Sequence, residues 1–408
     1  MAGSCDGLRV IDFSNSYPGA LATMLLSDAG AEVIKVEPQL GDSTRDHYAS
    51  LMWHRGKKSV TLDLKTKEGH DKALNLCNQA DVVVETFRPG VAAKFGIDYP
   101  TLSQSNPGLI SCSITGFGPV GPYSSYKGYE GIVYAKSGRF ENYAQQIKKD
   151  GPTYGAVYVA SYTSAMFSIQ GIMSSLLVRE RTGAGQKVDV SLLQALSYQA
   201  LGGWIQWQMK RKDPDFPITG TFRAGDSVPY LACRTKDGKW LQMGNLAVGL
   251  WENWLKSLGL EHLLEDPEYL NANRAREEVR ETLRVLLLEK MQEKTLDEWM
   301  EIYTTKFDVA VEPMLTTQEA MSHSQLVHNG LVVDIVDPEK GKTKQLGAFA
   351  SFSKTPSLPS SPAPNVGQHN DLIEEFCRPN NRKYKNEHLP GQPLNGLLVI
   401  ELAEWLAA

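Results

Sequence analysis

Cysteine is scarce in this chain, and its copies are scattered. The five cysteines include no CxxC pair and show no regularly spaced framework. This distribution argues against a disulfide scaffold and against a zinc site, and it is typical of reduced thiols in the cytosol. We therefore expect a cytoplasmic protein that binds no metal.

Long apolar runs and a surplus of positive charge are also missing. No apolar run reaches the roughly 18 residues that a membrane-spanning helix needs. The N-terminus has no basic stretch ahead of an apolar one, which a signal peptide would have. The formal net charge of −5 does not indicate binding to nucleic acid or to an anionic membrane surface. We therefore expect neither a nucleic-acid partner nor a membrane partner.

What is present is the composition of a globular protein. Hydrophobic residues make up 42% and charged residues 22% of the 408 positions, which is enough for two ordinary domains or one large divided domain. Before residue 130, short apolar runs alternate with helix-forming segments. The apolar runs are LRVIDF, AEVIKVEP, KSVTLDLK, DVVVETF and GLISCSITGFG. Such alternation predicts an open parallel sheet with crossover helices.

The rest of the chain has a different character. Residues 156–180 predict a long apolar helix, and KVDVSLLQALSYQAL predicts a further strand and helix. A hairpin pattern surrounds Asp237-Gly238, and the charged stretch 248–305 predicts helices with apolar positions that pack into a core. A second hairpin is predicted at 331–349. We assign 1–221 to a large α/β domain, 222–330 to a small α+β domain and 331–377 to the large domain again.

The end of the chain resembles its beginning. NGLLVIELAEWLAA (395–408) has the same order of Gly, Leu, Val, Ile and acid as GLRVIDFSNSYPG (7–19). The polar segment 378–395, which is rich in proline near its ends, separates this motif from the preceding domain and predicts a linker. We interpret 396–408 as the start of a second repeat of the whole domain.

Longer motifs connect the chain with a known family. They occur in the order GLRVIDFSNSYPGALATMLLSDAGAEVIKVEP, KKSVTLDLKTKEG, ADVVVETFRPG, NPGLISCSITGFGPVGP, YKGYEG and RERTGAGQKVDVSLLQA. Their order and spacing resemble the family III CoA transferases, the CaiB/BaiF group, over residues 5–376. The resemblance implies a Rossmann-like open parallel sheet built from both chain ends, a smaller central α+β domain and two interlocked subunits. Because some members fuse both subunits, it also implies the N-terminal half of a fused tandem.

The resemblance implies CoA or an acyl-CoA, and a carboxylic acid, as substrates. The phosphates of CoA need cations and backbone N–H groups near strand ends. By resemblance, the CoA contacts are Tyr17, Leu62, Lys65, Thr86, Phe87, Arg88, Lys94 and Lys127. Tyr17 departs from the family pattern, and Pro38 stands where members have a basic residue near the adenosine end. The resemblance therefore implies an altered CoA site.

The family's catalytic nucleophile is missing. It is an Asp ten residues before a glycine within the long helix, and counting back from Gly171 gives Ser161. In the family's mechanism this carboxylate attacks the donor thioester to form a mixed anhydride. CoA converts the anhydride to an aspartyl-CoA thioester, and the acceptor acid reverses the cycle. A serine hydroxyl would need an adjacent base. Glu130 in YKGYEG matches a position near the family's active site and is the candidate substitute.

Three functions stay open on this sequence. The first is CoA transfer by one half of a fused tandem whose other half supplies the Asp. The second is a non-catalytic pseudo-subunit that lends structure and pocket residues to an active partner. The third is an independent transferase that uses Glu130. The first two require a second CoA-transferase half or a homodimer partner. The family's racemase branch is disfavoured, because its histidine should fall within 120–130 and none is present there.

Overall fold

A computed structural model describes most of the chain. The described residues are 3–140, 151, 153–155, 157–199, 201–214, 227–270, 272, 275–357, 359, 361–378 and 392–401. The chain divides into two compact units. The first comprises Met1–Ser137, Ala156–Gln199 and Ser324–Ala408, and the second comprises Gly138–Gly155 and Ala200–His323.

The first unit is built on a six-stranded parallel sheet. Its strands are β1 Arg9–Phe13, β2 Glu32–Glu37, β3 Lys58–Thr61, β4 Val82–Glu85, β5 Ile110–Thr115 and β6 Lys187–Ser191. They lie in the order β3-β2-β1-β4-β5-β6, and every neighbouring pair is parallel. The predicted Rossmann-like sheet is confirmed. Its strand order reverses between β1 and β4, where open α/β sheets form a ligand crevice beyond their carboxyl ends.

Helices connect the strands and continue through both units. In the described part of the chain they are α1 Tyr17–Asp28, α2 Ser50–Trp53, α3 Lys67–Asn78, α4 Val91–Lys94, α5 Tyr99–Leu102, α6 Glu130–Ser137, α7 Val159–Thr182, α8 Leu192–Tyr198, α9 Leu201–Lys212, α10 Val248–Ser257, α11 Pro267–Leu270, α12 Glu277–Met291, α13 Leu296–Thr305, α14 Thr317–Ala320, α15 Ser324–His328 and α16 Ile373–Phe376. Helix α7 is the long helix that the sequence predicts at 156–180.

Helix α1 begins and ends at residues that suit those positions. Pro18 lies in its first turn, where the missing N–H would have no helical partner in any case. Gly30, just beyond its end, has a φ of 101°, a conformation that glycine adopts without strain. Nearly all residues of α1 are buried, and Leu21 and Leu25 pack with Ala165 of α7. The helix that follows β1 therefore has little freedom to move.

The C-terminal part of the first unit covers the free edge of β3. The backbone N–H of His369 donates to the Ser59 carbonyl at 2.9 Å, and the Thr61 N–H donates to Oδ1 of Asn370 at 2.8 Å. Ile373 and Phe376 bury their side chains in the apolar core on one face of the sheet. A covered edge cannot pair with a foreign strand. Both ends of the chain thus build the large unit.

The second unit contains a small antiparallel sheet and charged helices. Its strands are β7 Ala232–Arg234, β8 Trp240–Met243 and β9 Val311–Pro313, in the order β7-β8-β9. The turn between β7 and β8 contains Gly238 with a φ of 81°, at the hairpin that the sequence predicts. Trp251 and Trp254 of α10 are buried in the core of this unit, as the apolar spacing of that helix predicts.

A second hairpin, in the first unit, is fastened by a buried arginine. It consists of β10 Val332–Asp337 and β11 Gly341–Leu346 and matches the hairpin predicted at 331–349. Arg55 Nη2 pairs with Asp28 Oδ2 at 2.6 Å, and Nη1 donates to the carbonyl of Leu346 at 2.5 Å. Through this side chain the hairpin is tied to the end of α1.

The described residues 392–401 form no strand. Leu398, Val399 and Ile400 in the repeated motif are exposed. Residues 379–391 of the predicted linker and 402–408 of the predicted repeat lie outside the described residues. The assignment of 396–408 to a second repeat stays a prediction.

Candidate functional site at the carboxyl end of the sheet

A buried carboxylate holds the loop after β1. Oδ1 of Asp12 accepts hydrogen bonds from the backbone N–H of Ser14 at 2.8 Å and from its hydroxyl at 2.5 Å. Oδ2 accepts from Lys57 Nζ at 3.0 Å and from the Thr23 hydroxyl at 2.7 Å. Lys35, which is also buried, donates to the Ser14 carbonyl. The chain between β1 and α1 is thereby fixed on both sides.

The loops after β1 and β4 are joined across the point where the strand order reverses. The Asn15 backbone N–H donates to Thr86 Oγ1, and the Thr86 hydroxyl donates to Asn15 Oδ1, both at 2.9 Å. Gly19 packs closely here, since an added Cβ would lie 2.3 Å from Ser14 Cβ and 2.6 Å from Thr86 Cγ2. The hydroxyl of Thr86, a residue that the resemblance assigns to CoA binding, thus forms hydrogen bonds within the protein.

Aromatic rings gather around Tyr17 at the start of α1. The Tyr17 ring centroid lies 4.7 Å from that of Trp53, 5.6 Å from that of His47 and 5.4 Å from that of Tyr158. Burial, and to a smaller extent the neighbouring Tyr158, raise the pKa of Tyr17, so its phenol stays neutral. Tyr158 directly precedes α7. The Tyr17 cluster therefore adjoins the N-terminus of the helix that contains Ser161.

Ser161 and Glu130 are in direct contact at the N-terminus of α7. The Ser161 hydroxyl donates to Glu130 Oε2 at 2.6 Å. The backbone N–H of Ala160 donates to Oε1 at 2.8 Å, and that of Ser161 donates to Oε2 at 3.1 Å. Glu130, at the start of α6, thus satisfies N–H groups that α7 cannot satisfy itself. The structure brings the two predicted catalytic positions together.

The electrostatic surroundings of Glu130 contain dipoles rather than cations. Burial raises the pKa of Glu130, and the hydrogen bonds from Ser161 and Ala160 oppose that rise without cancelling it. Within the described ranges, no ammonium or guanidinium group forms an ion pair with this carboxyl. Its negative charge is therefore stabilised by the N-terminal end of α7 and by one hydroxyl.

The predicted phosphate-binding cations all lie at the surface. Lys65 follows β3, Arg88 follows β4, Lys94 ends α4, and Lys127 precedes α6. All four are exposed, and none forms an ion pair with another residue that the structure describes. Unpaired cations beyond the carboxyl ends of β3 and β4 suit an anionic ligand.

Leu62 and Phe87, which the resemblance assigns to CoA binding, place their side chains in or against the apolar core. Leu62 belongs to the buried core on one face of the sheet, and Phe87 packs against that core with its ring 6.5 Å from Phe13. Their side chains are occupied in packing, so a ligand could reach them mainly through the backbone.

Two residues of this region, Asn15 and Tyr158, are not among the site residues that the sequence predicts. Asn15 lies in the turn between β1 and α1, and that position alone was a usable signal, since such turns border the crevice of an α/β sheet. Tyr158 had no local signal. Only the packing of α7 beside α1 brings its ring to Tyr17.

Comparisons with known proteins agree with this fold. Residues 5–370 match CoA-transferase family III. Succinyl-CoA:glutarate CoA-transferase from Mus musculus is 32% identical over 393 residues, which cover 91% of this chain and 86% of the relative. Succinyl-CoA–L-malate CoA-transferase alpha subunit from Chloroflexus aurantiacus is 29% identical over 379 residues, covering 88% and 86%. The chain belongs to the CoA-transferase family III.

Solved structures point to the same family. A CAIB/BAIF family protein from Brucella suis has a TM-score of 0.78 and 27% sequence identity, covering 93% of this chain and all of that one.

Among the described residues, no helix is both long and apolar enough to cross a membrane. In the same residues, no group of three or more His, Cys, Asp and Glu side chains is placed to hold a metal ion.

Proposed function

We propose that this chain takes part in CoA transfer between an acyl-CoA and a carboxylic acid, as one half of a fused tandem whose other half supplies the catalytic carboxylate. The observation that supports this is Ser161. At the position of the family's nucleophile stands a hydroxyl that donates to Glu130 at 2.6 Å. A carboxylate is ionised at neutral pH and attacks a thioester without a base, whereas a hydroxyl must first lose its proton.

Glu130 is a poor replacement for the missing Asp. Its two oxygens accept three hydrogen bonds, two of them from backbone N–H groups of α7. If Glu130 formed an anhydride, one of its oxygens would become the weakly accepting bridging oxygen, and the negative charge that the N–H groups at the start of the 24-residue α7 stabilise would be lost. The geometry therefore favours a helix cap over a nucleophile.

CoA binds, in this proposal, in the crevice beyond the carboxyl ends of β1 and β4. The unpaired cations near that edge would hold its phosphates, and they are Lys65, Arg88, Lys94 and Lys127. Tyr17 borders both the loop after β1 and the start of α7. A thioester arm that passes Tyr17 would reach the Ser161 position.

The names of the relatives suggest the substrate class. One is named for succinyl-CoA and glutarate, and another for succinyl-CoA and L-malate. We extend this to the chain described here, with succinyl-CoA as donor and a dicarboxylic acid as acceptor. Neither substrate requires a metal in this mechanism.

A partner is supported by an uncovered apolar face. Tyr162, Met166 and Met173 lie along one side of α7 and are 39–40% exposed. Such stripes are typical of interfaces. The second relative is named an alpha subunit. The partner would be a second CoA-transferase half or a second copy of this chain. If this chain contributes only structure and pocket residues to such a partner, it is a non-catalytic pseudo-subunit.

Ser161→Asp tests the proposal. Wild type and variant are each incubated with succinyl-CoA and glutarate, and glutaryl-CoA is measured together with any CoA adduct on the protein by mass spectrometry. Loss of a covalent nucleophile removes on the order of 10³ to 10⁶ in rate, so wild type alone should show almost no turnover. The variant should form a hydroxylamine-sensitive CoA adduct at residue 161.

The matched controls separate the alternatives. The new carboxylate would lie beside Glu130, and two carboxyls in contact hold a shared proton, so Ser161→Asp is also made together with Glu130→Gln. Ser161→Ala removes the hydroxyl alone. A wild-type adduct on Glu130 would establish the independent transferase instead. Turnover by wild type through an adduct on Ser161 would contradict the proposal.

A further inference from the structure

The side chain of Asn15 has a fixed orientation at the edge of the crevice. Thr86 Oγ1 accepts the Asn15 backbone N–H, so the single proton of this hydroxyl is free to donate. It donates to Asn15 Oδ1 at 2.9 Å. The carbonyl side of the Asn15 amide is therefore turned toward Thr86, and its NH₂ group is turned away.

The NH₂ group of Asn15 is an available donor. Asn15 is exposed, and among the described residues nothing accepts a hydrogen bond from Nδ2. The backbone around it is held firmly. The Ser43 hydroxyl donates to the Asn15 carbonyl at 3.2 Å, and the preceding Ser14 is bound by Asp12 and Lys35. A donor fixed in this way loses little entropy when it meets an acceptor.

We propose that Asn15 is a CoA-binding residue that donates its side-chain NH₂ to an oxygen of the CoA diphosphate, and that Thr86 is its positioning residue. The inference rests on the proposed function, because it assumes that CoA binds in this crevice. The charge nearby fits a diphosphate, since Arg88 follows Thr86 by two residues and is exposed without an ion-pair partner in the described part of the chain. In such a site the neutral amide would orient the diphosphate and the guanidinium would neutralise its charge.

The test compares CoA affinities by titration calorimetry on the full chain. Asn15→Asp keeps the shape, removes the donor and adds a negative charge, so CoA should bind at least about tenfold more weakly. Thr86→Val keeps the shape and frees the Asn15 amide to rotate. Its loss should be about 2- to 13-fold, the range for one hydrogen bond. Thr86→Ser restores the hydroxyl and should bind as wild type does.

A second asparagine provides a matched control. Asn78 Oδ1 accepts from the Ser105 hydroxyl at 2.6 Å, ahead of the amino ends of β4 and β5. Asn78→Asp therefore adds the same charge to the same kind of pair at the opposite edge of the sheet. It should leave CoA affinity unchanged. An equal loss in Asn78→Asp and Asn15→Asp would show a general charge effect and overturn the proposal.

The remaining outcomes are distinguishable. If wild type does not bind CoA, the proposed function fails. If wild type binds CoA and Asn15→Asp binds it equally well, the proposed function stands and this inference fails. Dephospho-CoA, which keeps the diphosphate but lacks the 3′-phosphate, should show the same loss in Asn15→Asp. If Asn15→Asp weakens the binding of CoA but not of dephospho-CoA, Asn15 contacts the 3′-phosphate instead of the diphosphate, and the proposal is wrong.

The double variant tests the positioning role of Thr86. If Thr86 acts through Asn15, adding Thr86→Val to Asn15→Ala should weaken CoA binding no further than Asn15→Ala alone. Additive losses would mean that Thr86 contacts CoA independently, which would overturn its assignment as a positioning residue.

Discussion

Asp12, which is buried, and Glu130, which is half-buried, are two carboxyls of the same unit that are held in opposite ways. Asp12 is fully buried, with Lys57 Nζ 3.0 Å and Lys35 Nζ 3.9 Å from its oxygens. Burial alone would raise the pKa of Asp12, but the two ammonium groups and the surrounding hydroxyls outweigh it, so the pKa lies well below its usual range. Glu130 has only N–H and O–H donors, and burial raises its pKa.

The difference separates a structural acid from one whose protonation can change. Because two ammonium groups lie beside Asp12, its carboxyl is ionised at neutral pH, and the hydrogen bonds that it accepts from Ser14 hold the loop that leads to Asn15. The charge of Glu130 depends on three hydrogen bonds at the start of α7. Because burial raises the pKa of Glu130 and the Ser161 hydroxyl lowers it, a substitution that removes this hydroxyl should raise that pKa further. The carboxyl held by dipoles thus lies at the start of α7 beside Ser161, and the carboxyl held by cations supports the loop after β1.

Replacing each acid by its neutral amide should produce the largest difference between the two sites, measured as the free energy of unfolding. Asp12→Asn leaves Lys57 buried without its closest counter-charge and should cost about 3–5 kcal/mol of the free energy of unfolding. Glu130→Gln should cost about 1 kcal/mol or less, because one acceptor remains and an unfavourable buried charge is removed. Urea unfolding at pH 7, followed by circular dichroism, measures both. Similar losses in the two variants would mean that the cations around Asp12 do not matter.

The sequence predicted the sheet because apolar runs and helix formers alternate over long segments. The hydrogen-bond and ion-pair network around Asp12 could not be predicted from the sequence. Lys57 and Lys58 are adjacent and identical, yet Lys57 is buried and Lys58 pairs with Glu32 near the surface. Alternation of side chains along a strand sends neighbours to opposite faces, but which face is buried depends on tertiary packing. Ser161 and Glu130 were found by resemblance, while their contact required the fold of the loop between β5 and α6.

Gly19→Ala tests how rigidly the loop between β1 and α1, beside Asp12, is held. The added methyl would lie 2.3 Å from Ser14 Cβ, so the loop or α1 must shift, at a cost of about 1–3 kcal/mol. Gly249 in α10 is the matched control, because a Cβ there meets nothing within 4 Å. Gly249→Ala should stabilise its helix by up to about 1 kcal/mol. Unchanged stability of Gly19→Ala in urea unfolding would show that the loop after β1 shifts easily and is not held rigidly.

His54 gives the test with the smallest expected effect. Alongside burial, the charges of Lys57 and Lys35, which also pair with Asp12, lower the pKa of His54. It is fully buried, and its Nε2 lies 2.8 Å from Thr44 Oγ1. Burial, followed by the charges of Lys57 and Lys35, lowers the pKa of His54 to about 2. The unfolded chain takes up a proton on this residue below about pH 6.5, whereas the folded chain does not. Folding stability conferred by neutral His54 is therefore complete above pH 6.5 and is lost as the pH falls toward 2.

Between pH 7 and pH 6 this single residue should lower the free energy of unfolding by about 0.7 kcal/mol. Urea unfolding of wild type and His54→Gln at both pH values measures it as the difference between the two pH dependences. The difference is needed because burial also lowers the pKa of His369, which adds a change of the same sign in both proteins. If wild type and variant lose the same stability, His54 accepts a proton in the folded state. In that case the positive charge around Asp12 is not strong enough to exclude it, and the charge of Asp12 is less firmly fixed than its two lysine partners imply.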